Sequence, residues 1–253
     1  MIDLHAHVLP GIDDGPGTLD DSLALLQALV ADGVTTVCAT PHVQPGYPTT
    51  PAERDAALER VRAAARAAGL AIKVEQGGEV DIEYAAQWGD DEVSAFTLAG
   101  GGALLIEFPW TATWPLALIP TCRALRLRGF LPVIAHPERV RAAQAAPQKL
   151  DEAIASGAVA QVTTGSLTGR FGETAQRTAF DLVRARRAHV VATDTHDTVS
   201  RPPEVRAARV ALAAAVGEDL AEALFAAPAD VIAGLVPRLP PATEPRRRGL
   251  FRR

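Results

Sequence analysis

The stretch IDLHAHVLPGIDDGP, residues 2–16, contains the unit from which the rest of the chain is built. It opens as a short strand that carries His5 and His7. Alternate residues of a strand point to the same side, so both imidazoles aim at one spot beside the paired acids Asp13 and Asp14. Two aligned imidazoles next to carboxylates suggest a metal. After this polar tip, Thr18-Leu-Asp-Asp21 opens the amphipathic run SLALLQALVADG as a capping box, with Asp in the place of the usual Glu.

The order of strand, polar tip and helix then recurs. TTVCAT (35–40), AIKVEQGGE (71–79), ALLIEF (103–108), LPVIAH (131–136), AVAQVTT (158–164) and HVVATDTH (189–196) read as further strands, with Ala/Leu/Arg-rich amphipathic stretches between them. Thr50-Pro51-Ala52-Glu53 is a second capping box with proline at the first helical position, and Gly33 and Gly69 are placed to end the two helices. Such alternation implies a parallel sheet covered by helices. About seven units in 253 residues predict an α/β fold, a closed or nearly closed TIM-like barrel, with an open doubly wound sheet as the alternative. A single domain over residues 1–236 is expected, followed by a flexible Pro/Arg-rich tail at 237–253 that lacks periodicity.

In a parallel barrel the C-terminal ends of all strands emerge on one face, where active sites are built. That face collects His5, His7, Asp14 (or Asp13), His42, Glu79, Glu107, His136, Asp194 and His196. A lone His-x-His or strand-end carboxylate has ordinary explanations, but five of the six histidines lie at strand ends beside acids. A catalytic zinc ion takes about three protein ligands, so nine candidates point to two or three ions. Mixed imidazole and carboxylate donors suit Mn²⁺, Fe²⁺ or Zn²⁺ better than the oxygen-seeking Ca²⁺ or Mg²⁺. His189 starts a strand, belongs at the opposite end and is assigned no function.

Bulk properties argue against other classes. A formal net charge of −5 argues against nucleic acid as a partner, and no apolar run is long enough for a transmembrane segment. The opening residues do not read as a secretory signal, so a cytoplasmic location is expected. Nothing in the residues specifies an oligomeric state. Cys38 and Cys122 lie in apolar surroundings. Cys122 to Arg128 matches the C-x₅-R spacing of thiolate phosphatases, but it reads as a helix without the glycine-rich loop that chemistry needs.

With these residues in view, the sequence resembles the PHP (polymerase and histidinol phosphatase) superfamily. The nearest likeness is to its bacterial manganese-dependent protein-tyrosine phosphatases of capsule and exopolysaccharide operons, the CpsB/YwqE type. The motifs that carry it are IDLHAHVLPGIDDGP, ATPHVQPG, GGEVDI, LIEFP, PVIAHPER, QVTTGSLTGRFG, VATDTHD and RPP, spanning the chain to about residue 205. The resemblance implies a distorted (β/α)7 barrel of the PHP type holding three metal ions. It places the nine candidates on the ligand motifs, favours Asp14 over Asp13, and puts Glu107 where many PHP proteins carry histidine. VTTGS (162–166) and Asp81 depart from the pattern without removing a ligand, and could alter the rim of the site.

Arg139 in HPER and Arg201 in SRPP follow strand-end ligands and can reach the same face; by resemblance both fall where the family carries substrate arginines. The expected reaction is hydrolysis of phosphotyrosine by a metal-activated hydroxide with no phosphoenzyme. By family analogy, the substrate is the tail of a bacterial tyrosine kinase that controls polysaccharide export. The competing expectations are a PHP-type small-molecule phosphatase acting on a substrate such as histidinol phosphate, and a noncatalytic metal-binding module. Trp110 and Trp114, on the loop after Glu107, could wall a phosphotyrosine ring or pack the loop onto the barrel.

Overall fold

The computed structural model describes residues 1–241. Its strands are β1 (Ile2–Ala6), β2 (Thr36–Ala39), β3 (His42–Gln44), β4 (Tyr47–Pro48), β5 (Lys73–Gln76), β6 (Glu79–Asp81), β7 (Ala103–Glu107), β8 (Leu131–Ile134), β9 (Val159–Thr163) and β10 (Val190–Ala192). One sheet has the order β1-β2-β5, the other β10-β9-β8-β7-β6-β3-β4. Among the described residues every pairing is parallel except the short β3–β4 hairpin.

The two sheets share their staves. β2 and β3 are successive lengths of one stave interrupted at Thr40-Pro41, and β5 and β6 are lengths of another, interrupted at Gly77-Gly78. Proline cannot donate to a ladder, which breaks the first. In the second there is no room for side chains: a Cβ at Gly77 would meet Thr40 Cγ2 at 2.9 Å, and one at Gly78 would meet Phe96 Cδ1 at 2.6 Å. The single strand expected over 71–79 is two, β5 and β6. Closure comes at β1 and the segment after β10, where Ala6 bridges Thr195, His7 N donates to Thr195 O at 2.9 Å and Asp194 N donates to His5 O at 2.8 Å. The result is a seven-stave barrel.

The longer helices are α1 (Leu19–Ala31), α2 (Pro51–Ala67), α3 (Leu118–Leu127), α4 (Glu173–Arg184), α5 (Val205–Val216) and α6 (Glu218–Ala226). Both expected capping boxes form, at Thr18/Asp21 and Thr50/Glu53, each stabilising its helix start by about 1 kcal/mol. Past the other ends, Gly33 and Gly69 take φ values of +97° and +66°, a backbone that only glycine adopts freely. No helix among the described residues is long and apolar enough to cross a membrane.

Strand alternation separates two apolar layers. Leu104, Ile106, Ile134, Val162 and Val191 pack outward with Leu25, Leu29, Val61, Leu125 and Leu182 of the surrounding helices. Their neighbours Ala103, Leu105, Leu131, Val133, Val159, Val190 and Ala192 form the inner cluster, joined by Val231 of the helical turn Pro228–Ile232. Followed to the strand ends, the inward parity arrives at Glu107, Gln161, Thr163 and Asp194. The barrel interior thus changes from apolar to polar at the face where the candidate ligands gather. At the start of the expected tail, Leu239 packs on the core and Arg186 Nε donates to Pro240 O at 3.2 Å; residues 242–253 lie outside the described residues.

Candidate metal centre

All nine candidates come together in three groups, each with its ligand atoms within 4.8 Å of one another: His7, Asp14, His42 and His196; His5, Glu79, His136 and Asp194; and His42, Glu79 and Glu107. His42 and Glu79 belong to two groups each, so neighbouring cations would share them. His5 lies on β1 with His7 just beyond it, His42 opens β3, Glu79 opens β6 and Glu107 closes β7. His136 follows β8, and Asp194 and His196 follow β10. Parity alone would send Ala135 inward and His136 outward. His136 instead has φ +29°, and Asp194 has φ +52°, conformations uncommon outside glycine that cost about 1–3 kcal/mol each. The turn at His136 brings its Nε2 within 2.8 Å of Glu79 Oε1.

The centre is compact. Glu79 Oε2 lies 3.3 Å from His5 Nε2, 3.3 Å from His7 Nε2 and 3.0 Å from His42 Nδ1. Asp194 Oδ1 lies 3.3 Å from His5 Nε2, and Asp14 Oδ1 lies 3.1 Å from His196 Nε2. Yet Glu79 Oε2, Asp194 Oδ1, His42 Nδ1 and His196 Nε2 are buried without an aligned hydrogen-bond partner among the described residues. Unpaired buried polar atoms are costly, and here they converge on one another rather than scatter. Cations satisfy such a set of lone pairs, so the donors present fit metal ions.

The charges of the cluster hold one another: against burial, Glu79 and Asp194 raise His5, Asp13 raises His7 and Glu79 raises His42. Burial opposes ionisation of Glu79 and Asp194, but the surrounding histidines, with Arg201 beside Asp194, hold both carboxyls well below their usual range. Glu107 is the opposite case: burial and the neighbouring Glu79 charge push it up. Burial and the charge on His7 bring His196 down to about 4, leaving it a neutral imidazole of the kind metals take.

The cluster has supporting residues, of which Gln161 and Glu138 escaped the sequence reading. Asp13 does not join a group; its Oδ2 lies 2.6 Å from His7 Nδ1 and accepts from His42 N at 3.0 Å. Gln161 Oε1 lies 3.0 Å from His5 Nδ1. Both fix a ring so that its other nitrogen faces the cluster. Fully buried Glu138 accepts through Oε1 from Thr163 N, Thr163 Oγ1 and Ser166 Oγ, at 2.9, 2.8 and 2.7 Å, tying the turn Pro137–Arg139 to β9. A glutamine inside a fully buried strand, AVAQVTT, was the available signal for Gln161.

Arg139 and Arg201 meet at one atom. Arg139 Nη1 and Arg201 Nη2 both donate to Asp194 Oδ2, the latter at 2.6 Å. Asp197 accepts from Val199 N and Ser200 N at 2.6 and 2.5 Å, holding the loop that presents Arg201. The tryptophans divide: Trp114 packs on the core against Phe108, whereas Trp110 is half-exposed and its Nε1 donates to Glu107 Oε1 at 3.1 Å. Cys122 is buried in α3, its thiol pushed up to about 12 by burial. His189 lies ahead of β10, away from the cluster, where its Nδ1 accepts from Ala160 N at 3.2 Å.

The chain matches, over residues 1–233, the family described as capsular polysaccharide synthesis, CpsB/CapC. It is 34% identical over 221 residues to the tyrosine-protein phosphatase YwqE of Bacillus subtilis, covering 87% of each chain. To the tyrosine-protein phosphatase CpsB of Streptococcus pneumoniae it is 31% identical over 234 residues, covering 89% of this chain and 95% of the relative. Crystallographic work describes YwqE and CpsB as metal-dependent tyrosine phosphatases. A chain from that work superimposes with a TM-score of 0.87 at 30% identity, covering 98% of this chain and all of the other. A lactonase from Listeria monocytogenes, at TM-score 0.56 and 12% identity over 94% and 95% of the two chains, shares the fold.

Proposed function

Because this chain belongs to the CpsB/CapC family of capsular polysaccharide synthesis, we propose that it is a metal-dependent phosphatase that hydrolyses phosphotyrosine on a protein. The partner we assign is a bacterial tyrosine kinase that regulates capsule or exopolysaccharide synthesis, and the metal is Mn²⁺, at two or three sites, with Fe²⁺ or Zn²⁺ as substitutes. The observation that carries this reading is the convergence of Arg139 and Arg201 on Asp194, a member of the His5/Glu79/His136 group. Two guanidinium forks beside a cluster of cation-binding donors make a receptor for a dianionic phosphoryl group.

His5, His7, Asp14, His42, Glu79, Glu107, His136, Asp194 and His196 would hold the cations. Ions bound there supply Lewis acidity toward a phosphoryl oxygen and a lowered pKa for water. Arg139 and Arg201 orient the phosphoryl group and stabilise charge that grows on its equatorial oxygens as the P–O bond to the tyrosine breaks. Tyrosine leaves as a phenolate of pKa about 10, so the chain needs no strong general acid at the leaving oxygen.

The test is phosphate release by chelator-treated, Mn²⁺-reconstituted protein from a phosphotyrosine peptide, from the same peptide with phosphoserine, and from histidinol phosphate. Fastest metal-dependent release from phosphotyrosine is expected. Preference for histidinol phosphate would transfer the chain to small-molecule chemistry, and no release from any of the three with metal bound would indicate a noncatalytic module.

A further inference from the structure

The loop between Glu107 and α3 carries a side chain whose surroundings do not match a packing role. Trp110 is 48% exposed, yet it is held at three points, all of them in the centre. Its Nε1 donates to Glu107 Oε1 at 3.1 Å. Its ring stacks on the His136 imidazole at 5.3 Å between centroids, with 21° between the planes. The guanidinium carbon of Arg139 lies 4.7 Å from its centroid, and 4.0 Å from that of Phe171 on the other arm of the site. An indole left half open at that cost in apolar exposure, while Trp114 four residues later is packed onto the core, is positioned for something that arrives from solvent.

We propose that Trp110 is a substrate-contact residue that selects aryl over alkyl phosphate monoesters by packing against the phenyl ring of phosphotyrosine. This rests on the phosphatase reading above. A phosphoryl group gripped by Arg139 carries its ester oxygen, and the ring attached to it, into the open side of the indole that Arg139 already touches. Aromatic pairs favour centroid separations of about 4.5–7 Å, a span that this placement beside Arg139 makes available. An alkyl phosphate carries no ring directly on its ester oxygen and presents none at this position. Phe171 lies on the same guanidinium, and the ring selectivity is assigned to Trp110, the more exposed of the two rings.

The experiment compares wild type, Trp110→Leu and Trp110→Phe, each reconstituted with Mn²⁺ and matched for metal content. Two quantities are read: kcat/KM for a phosphotyrosine peptide, and the inhibition constant of inorganic phosphate, which needs the arginines and metals but has no ring. For Trp110→Leu, kcat/KM should fall about tenfold, the upper reach of an aromatic pair, while the phosphate constant stays within twofold. Trp110→Phe, which keeps a ring, should recover most of the loss. A parallel change in both quantities would overturn the proposal, because Trp110 would then act only by holding Arg139 and Glu107; no change in either would overturn it as well. Failure of the phosphatase reading looks different, since wild type itself would release no phosphate from the peptide.

Discussion

Asp13 Oδ2 stands 2.6 Å from His7 Nδ1, so the second of the paired acids, Asp14, faces the cluster while the first faces the back of a histidine. An acceptor behind the ring fixes the tautomer and leaves Nε2 free for a cation. Asp13→Ala is therefore expected to weaken Mn²⁺ binding about 10–100-fold, measured by titrating metal into chelated protein. Wild-type affinity in that variant would remove Asp13 from any part in metal binding.

Removing one guanidinium should cripple turnover without emptying the centre. Arg139→Ala and Arg201→Ala are each expected to lower kcat/KM for a phosphotyrosine peptide about 100-fold, as loss of a transition-state donor does, with bound metal unchanged. Activity within twofold of wild type would strip that arginine of its assigned part.

Metal should stabilise the fold as well as serve the chemistry, because it satisfies buried atoms of Glu79, Asp194, His42 and His196 that lack an aligned hydrogen-bond partner among the described residues. At a metal concentration about 1,000 times Kd, binding contributes about 4 kcal/mol, which for a chain of this size raises the melting temperature by roughly 10 °C over the chelated protein. Identical melting curves with and without metal would show that the cluster does not bind it.

Cys122→Ser should leave metal-dependent turnover within twofold of wild type. Its buried hydroxyl should cost about 1–2 kcal/mol of stability in urea unfolding. The thiol is sealed inside α3 and pushed up to about 12, which denies it the thiolate that a C-x₅-R enzyme uses. Abolished turnover with metal content intact would hand the chemistry to this cysteine.

Acid should destabilise the protein through His189. Burial brings its pKa down to about 4 from an ordinary 6.5, so the unfolded chain takes up a proton at higher pH than the folded one. The stability this histidine supports is whole above pH 6.5 and is lost as pH falls toward 4, by about 3 kcal/mol in all. Urea unfolding of chelated wild type and His189→Asn across that range should show the two free energies converging by about that amount as pH drops; parallel profiles would refute it.

The barrel and the gathering of the candidate ligands were legible because they follow simple periodicities. Glu107 and Asp194 continue the inward parity of β7 and β10, and the two capping boxes announce α1 and α2. What stayed hidden depends on contacts between distant segments. The close approach of Thr40 and Phe96 to Gly77-Gly78, and the left-handed backbone that turns His136 inward, are announced by no local pattern. Gln161 and Glu138 read as incidental polar residues until β8 and β9 are side by side. Most of the tail expected over 237–253 falls outside the described residues.

The seam where Ala6 meets Thr195 fixes when, during synthesis, the protein can become complete. Asp3 and Thr193, hydrogen-bonded across it at 3.0 Å, are 190 residues apart. At 5–20 residues per second, the first strand emerges from the ribosome roughly 10–40 s before its closing partner exists. Throughout that interval one edge of β1 has no neighbour, and His5 and His7 lack Asp194 and His196. A nascent chain that ends short of Asp194 has the first two histidines of the centre but no closed barrel to seat them in, so maturation waits for the last stave.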